Sequence, residues 1–181
     1  MKKKFEKVYQ FKISLATRKD LWRRIEIKDD QKLGEFDYFL RDIFHHDPDD
    51  HLSEFFRGRP WHSEGFGEIS PFGDGEGSKK RISMLNLSIG DTLTYVYDFG
   101  DDIRHTVKLE KIKEPKKGIK YPRVIEKNKP RYRNCEKCLK KGNKKKAIWI
   151  YFSHKQGKKL LLCSECLNKE SDDGIVDKIV Y

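Results

Sequence analysis

Cys135, Cys138, Cys163 and Cys166 are the four cysteines of a 181-residue chain, and they fall as two Cys-x-x-Cys pairs. Twenty-four residues separate Cys138 from Cys163. A Cys-x-x-Cys turn sets two thiolates on one ion, and two such turns complete a tetrahedral site. The pattern predicts one structural Zn²⁺ per chain. Iron in the same four-sulfur geometry is the rival, and a redox dithiol pair is a third reading. Four protein sulfurs leave no open coordination position, so such a metal stabilises the fold and does not activate water.

The residues around the cysteines carry the second signal. Residues 111–169 hold 20 Lys and Arg against 4 Asp and Glu, whereas residues 1–110 hold 19 against 21. The whole net charge of +11 therefore originates in the segment that contains the cysteines. Lys140, Lys141, Lys144, Lys145, Lys146, Lys158 and Lys159 flank them, with Tyr132, Trp149, Tyr151 and Phe152 interleaved. Lysines against phosphates and aromatics against bases would suit RNA or single-stranded DNA. The same charge would also suit an acidic protein partner, or no partner at all, as a solvated surface.

A third set could act on water. His45, His46, Asp47, Asp49, Asp50 and His51 are close in sequence, and Asp98, Asp101, Asp102 and His105 cluster farther on. If folding gathered His51, Asp98, Asp101 and His105, a divalent metal held there could support phosphodiester hydrolysis. Against this, His105 shares an alternating face with Ile103, Val107 and Leu109, as a core histidine would, and the aspartates are ordinary turn residues.

The elements that must position these groups are legible from periodicity. Residues 7–15 and 22–27 alternate as strands, with Tyr9, Phe11, Ile13 and Leu15 on one side of the first. Leu33, Phe36, Leu40, Ile43 and Phe44 recur at helical spacing, so a helix is predicted near 31–44, capped by Asp29-Asp30 and stopped before Pro48. Residues 51–57 read as a short strand, 58–77 as a long Gly-rich loop without a P-loop pattern, and 81–87 as a short helix or turn. Residues 92–97 and 103–112 form the clearest strand pair. Further strands are predicted at 147–152 and 158–162, turning near His154 and Gly157. The fold class is α+β, a mainly antiparallel sheet with one main helix plus a small C-terminal zinc-ribbon-like module. The predicted division is an α+β domain over 1–113, a basic connector over 114–134, a four-cysteine zinc-ribbon-like module over 135–169 and an acidic tail over 170–181.

The basic start lacks the apolar stretch of a secretory leader, and the longest apolar run, Ala147 to Phe152, is far below a membrane span. With unpaired thiols, this leads to the expectation of a cytoplasmic protein.

Tyr97-Asp98-Phe99-Gly100-Asp101 with His105 four residues on, together with several other pieces in order, resembles the plasmid pRiA ORF-3-like family. Those pieces are Val8-Tyr9-Gln10-Phe11-Lys12-Ile13, Leu21-Trp22-Arg23-Arg24-Ile25, His51-Leu52 with Phe55, Ile89-Gly90-Asp91 and Tyr121-Pro122-Arg123. The resemblance spans residues 7–123 and implies an α+β domain without a defined activity. Some relatives have been linked to mobile elements, but a serine recombinase needs a nucleophilic serine in its own fold, and no such arrangement is legible. The chain departs from the family after Tyr121-Pro122-Arg123. The usual tail is acidic and rich in Pro and Gly, and here it is lysine-rich with two cysteine knuckles.

Overall fold

The alternation over the first strand becomes β1 (Val8–Leu15), an inner strand of the larger of two sheets. The computed structural model describes residues 6–170 and 174–181, and the chain divides into two units, Met1–Asn128 and Lys129–Tyr181. The architecture is α+β with mainly antiparallel pairing and one main helix, as the periodicity predicts.

In the first unit β1 is joined by β2 (Arg18–Lys28), α1 (Leu33–Phe44), β3 (Ser53–Phe56), β4 (Thr92–Tyr97), β5 (Ile103–Lys113) and β6 (Arg123–Lys127). The six strands run in the order β3-β4-β5-β1-β2-β6, and every neighbouring pair is antiparallel. Phe11, Ile25 and Leu109 share one register row, as do Ile13, Val107 and Leu93, and all six are buried. The helix α1 packs on this face, its Phe36 ring 5.5 Å from Phe11 and 5.2 Å from Phe55. Removing each such ring from water contributes about 2–3 kcal/mol.

The inward stripe of α1 comprises Leu33, Phe36, Asp37, Leu40, Arg41 and Phe44. The spacing is helical, but two of its positions hold a carboxylate and a guanidinium where aliphatics are the rule. Arg41 Nε donates to Asp37 at 2.8 Å, and Tyr95 Oη donates to the same carboxylate at 2.6 Å. Ser53 Oγ also donates to Asp37. The Arg41 guanidinium then reaches the carbonyl oxygens of Asp50 (2.7 Å) and His51 (3.0 Å). Buried charges are tolerated when paired and hydrogen-bonded, and this network ties the loop after α1 to the core.

The helix ends at Phe44 as predicted, but what caps it differs at both ends. The helix is not capped by Asp29-Asp30. Lys32 occupies the cap position, and the Glu35 carboxylate accepts from its backbone N–H at 2.7 Å. At the other end the helix stops before Pro48 can act. His45 is left-handed (φ 57), and the N–H of His46 returns to the Arg41 carbonyl at 2.9 Å, the Schellman pattern.

Residues 58–77 form the predicted long loop, followed by short 3-10 turns at Gly77–Lys79 and Ile82–Leu85. The connector expected over 114–134 contains β6, which pairs with β2 at the sheet edge. Its side chains are mostly exposed, so it has no alternation to read. It is held instead by Arg123 Nε, which donates to the buried Glu26 at 2.8 Å, while Lys113 pairs with the same carboxylate.

The second unit contains α2 (Glu136–Leu139), β7 (Trp149–Ser153), β8 (Lys158–Leu162), α3 (Ser164–Leu167) and β9 (Gly174–Lys178). Its sheet runs β8-β7-β9, so part of the expected acidic tail is the third strand. No described helix is long and apolar enough to cross a membrane.

A candidate metal centre of four cysteines

Both knuckles fold the same way. Cys135 and Cys163 each precede a single helical turn, and the N–H of Leu139 and of Leu167 returns to their carbonyls at 2.9 Å. The second cysteine of each pair, Cys138 or Cys166, falls on that turn, beside the first. The β7–β8 hairpin brings the two turns together. All four sulfurs lie within 4.8 Å of one another, the one such group among the described residues. Cys138 Sγ is 3.8 Å from Cys163 Sγ and 3.6 Å from Cys166 Sγ. A tetrahedron with metal–sulfur bonds of about 2.3 Å has edges of about 3.8 Å, so the group fits one metal ion.

The electrostatics agree with that fit. Burial pushes the Cys135 thiol up, but backbone hydrogen bonds from Cys138 and Cys163 and its neighbouring thiols bring it down to about 7. Burial and the adjacent sulfurs push Cys138 up to about 12. Ionisation of one thiol therefore opposes that of the next. Four thiolates need a cation among them.

The core of this unit is built from Cys135, Cys138, Cys163, Leu162 and Tyr151. Tyr151, predicted among the nucleic-acid contacts, is 2% exposed and turns inward. Alternation on β7 decides this, because Trp149, Tyr151 and Ser153 share the face opposite to Ile150 and Phe152. Gly174 of β9 lies so close to Tyr151 that a Cβ there would stand 2.2 Å from the ring. Tyr132 is 58% exposed, with Lys146 Nζ 3.8 Å from its ring centroid. Lys145 pairs with Glu165 at 2.7 Å. Lys140, Lys141, Lys144, Lys158 and Lys159 are exposed.

The His/Asp set does not assemble as a metal site. His51 Nδ1 is 3.5 Å from Asp98 Oδ2, and its Nε2 is 3.6 Å from Asp50. Asp98 is left-handed (φ 57) and caps its own turn, accepting from the N–H of Gly100 at 2.9 Å and of Asp101 at 3.2 Å. Asp101 is exposed at that turn. His105 is fully buried and meets His46 instead, Nε2 to Nε2 at 3.1 Å. Strand alternation sends His105 to the core side, away from the hairpin turn that holds the aspartates. The Asp37–Arg41 network was missed by sequence reasoning. Its signal was present, since both residues fall in the stripe of Leu33, Phe36, Leu40 and Phe44.

Comparison with known proteins adds three findings. A family model described as plasmid pRiA4b ORF-3-like protein matches residues 7–136. No curated protein matches the chain. The crystal structure of a protein of unknown function from Methanosarcina mazei Go1 is similar, with 28% identity, 68% of this chain and 70% of that one covered, and a TM-score of 0.55. The family match ends at Glu136, so Cys138, Cys163 and Cys166 lie beyond it.

Proposed function

The chain belongs to the plasmid pRiA4b ORF-3-like family, and because that membership brings no reaction with it, we propose that the protein is a zinc-stabilised, non-catalytic nucleic-acid-binding protein acting through its lysine-rich ribbon. The metal in this reading is one Zn²⁺ per chain, with iron the rival for the same four sulfurs. Its role is structural, because the sulfurs fill the coordination sphere. Metal-loaded thiols belong in a reducing compartment, which makes the protein cytoplasmic in this reading.

The observation that carries the proposal is the outward face of the ribbon sheet. Phe152 is 38% exposed and stands directly opposite Lys159 across β7 and β8, an aromatic ring beside a cation. Lys140, Lys141 and Lys144, outside the sheet, and Lys158, opposite Ser153, add charge to the unit with no ion pair among the described residues. The unit from Lys129 onward holds 14 Lys and Arg against 6 Asp and Glu. Lysines then neutralise phosphates while Phe152 and Tyr132 stack on bases of single-stranded RNA or DNA. Stacking and backbone contacts discriminate little between sequences.

The test is binding of a fluorescein-labelled 20-nucleotide RNA or DNA across a salt series. Affinity should fall steeply with salt. Replacing Lys140, Lys141, Lys144, Lys158 and Lys159 by Gln should reduce the slope by roughly 0.7 for each phosphate no longer neutralised. No binding at low salt would end this reading.

A further inference from the structure

On the face of the larger sheet turned away from α1, polar side chains stand in rows across the strands. Thr94, Thr106, Ser14 and Trp22 lie directly opposite one another on β4, β5, β1 and β2. The adjacent row runs Lys108, Lys12 and Arg24 over β5, β1 and β2. Phe11 and Ile13, on either side of Lys12, are buried on the α1 side, so these rows form the open face.

Like charges directly opposite on neighbouring strands cost stability, and here three cations stand abreast. Arg24 is neutralised by Glu110 at 2.6 Å and by Glu126, and Lys12 lies within electrostatic reach of the same Glu110. The β1–β5 register slips between Gln10 and Phe11, which leaves Glu110 as the extra residue of a bulge with its carboxylate on Arg24. Among the described residues Lys12 and Lys108 have no ion pair. Lys12 Nζ rests 4.9 Å from the indole centroid of Trp22, and Arg24 Cζ rests 5.3 Å from it. Beside the row lies a surface cavity of about 680 Å³, whose lining includes Gln10, Arg24, Lys108 and Lys111 with the carboxylates of Glu110 and Glu126.

An open antiparallel sheet that carries an indole, small hydroxyls and two lysines without an ion pair matches what single-stranded nucleic acid requires: a ring for a base and cations for the chain of phosphates. We propose that this face of the family domain binds single-stranded nucleic acid, with phosphates on Lys12 and Lys108 and a base against Trp22. The Lys12 ammonium that covers the indole is released to a phosphate when a base takes its place. An acidic peptide would meet the cations but offers the indole no planar partner. The surface lies within residues 1–128 and does not depend on the ribbon reading.

The chain has three tryptophans, so Trp61→Phe with Trp149→Phe leaves Trp22 as the single indole reporter in the full-length protein. Adding a 20-nucleotide RNA or DNA at low salt should quench its fluorescence, whereas poly-L-glutamate should not. Lys12→Gln with Lys108→Gln should lower the salt slope by roughly 1.4, the value for two phosphates on a single strand. Trp22→Ala should weaken a labelled oligonucleotide roughly 5- to 100-fold. The ribbon Lys→Gln set should leave the Trp22 quench in place. If oligonucleotide binds but Trp22 is silent and the Lys12/Lys108 pair leaves the slope unchanged, the sheet-face proposal fails while the ribbon reading stands. Equal quenching by poly-L-glutamate would also overturn it.

Discussion

The imidazoles of His46 and His105 meet Nε2 to Nε2 at 3.1 Å, with the Phe44 ring centroid 4.7 Å from His105 and the Tyr97 ring stacked on His46 at 4.3 Å. One nitrogen must donate and the other accept, so the two rings cannot both be protonated. Burial and the facing imidazole lower His105 to about 3. Burial, with Arg41 and His45 adding to it, lowers His46 to about 4.

These depressed values make stability depend on pH. The unfolded chain binds protons near pH 6.5 and the folded pair does not, so stability is full above about 6.5 and falls as pH drops toward the folded values. For His105 alone the loss between pH 7 and pH 5 is about 2 kcal/mol. Urea unfolding at the two pH values measures it. His105→Phe should remove about that share of the difference and leave the part due to His46, and an unchanged pH slope in that variant would argue against the pair as its source.

Arg41 is the second place where burial of charge has a measurable consequence. Replacing it by Met leaves Asp37 buried without its cation and should cost about 3–5 kcal/mol in urea unfolding. The double change Asp37→Leu with Arg41→Met should cost less than the sum of the single changes, because no charge is then stranded. The His51 resonances should also shift in Arg41→Met, since the guanidinium holds the His51 carbonyl at 3.0 Å. Additive single changes would refute coupling of the pair.

The metal centre makes a stoichiometric prediction. Elemental analysis of the purified protein should find about one zinc per chain, and Cys135→Ser with Cys163→Ser should abolish it. Chelation should melt the β7–β8–β9 sheet while the larger sheet keeps its own transition, because four thiolates without a cation repel one another. Metal retained by the double-serine variant would defeat the four-thiolate assignment.

Glu26 tests how β6 is held. Its carboxylate is buried and accepts from Arg123 of β6 and Lys113 of β5. Burial opposes its charge, yet the two cations win and hold its pKa below the usual carboxylate value. The stabilisation is therefore present above about pH 4.5 and lost as pH falls below it. Glu26→Gln should cost about 1 kcal/mol at neutral pH, because Lys113 and Arg123 stay partly solvated, and expose the amides of Val124 and Ile125 to faster hydrogen exchange. Unchanged exchange on β6 would show that the pairing with β2 suffices.

The strands β1, β4 and β5 and the helix α1 were legible because each buries one face, and burial imposes period two or 3.6 on residue type. The strands β6 and β9 were not, because they are short edges with mostly exposed side chains, and exposure imposes no period. The cysteine quartet was readable for a different reason: Cys-x-x-Cys spacing sets the sulfurs locally, and the hairpin has only to bring two prepared turns together. By itself, then, the amino-acid sequence determined the elements that bury one face and the cysteine quartet, which follow from local spacing, and the family, which follows from its motifs. Tertiary structure alone decided that His105 meets His46 and not Asp98, that Tyr151 turns inward while Phe152 turns out, and that Lys12 stands between Lys108 and Arg24. Those relations depend on register between strands distant in sequence, where a shift of one residue exchanges the two faces of the sheet.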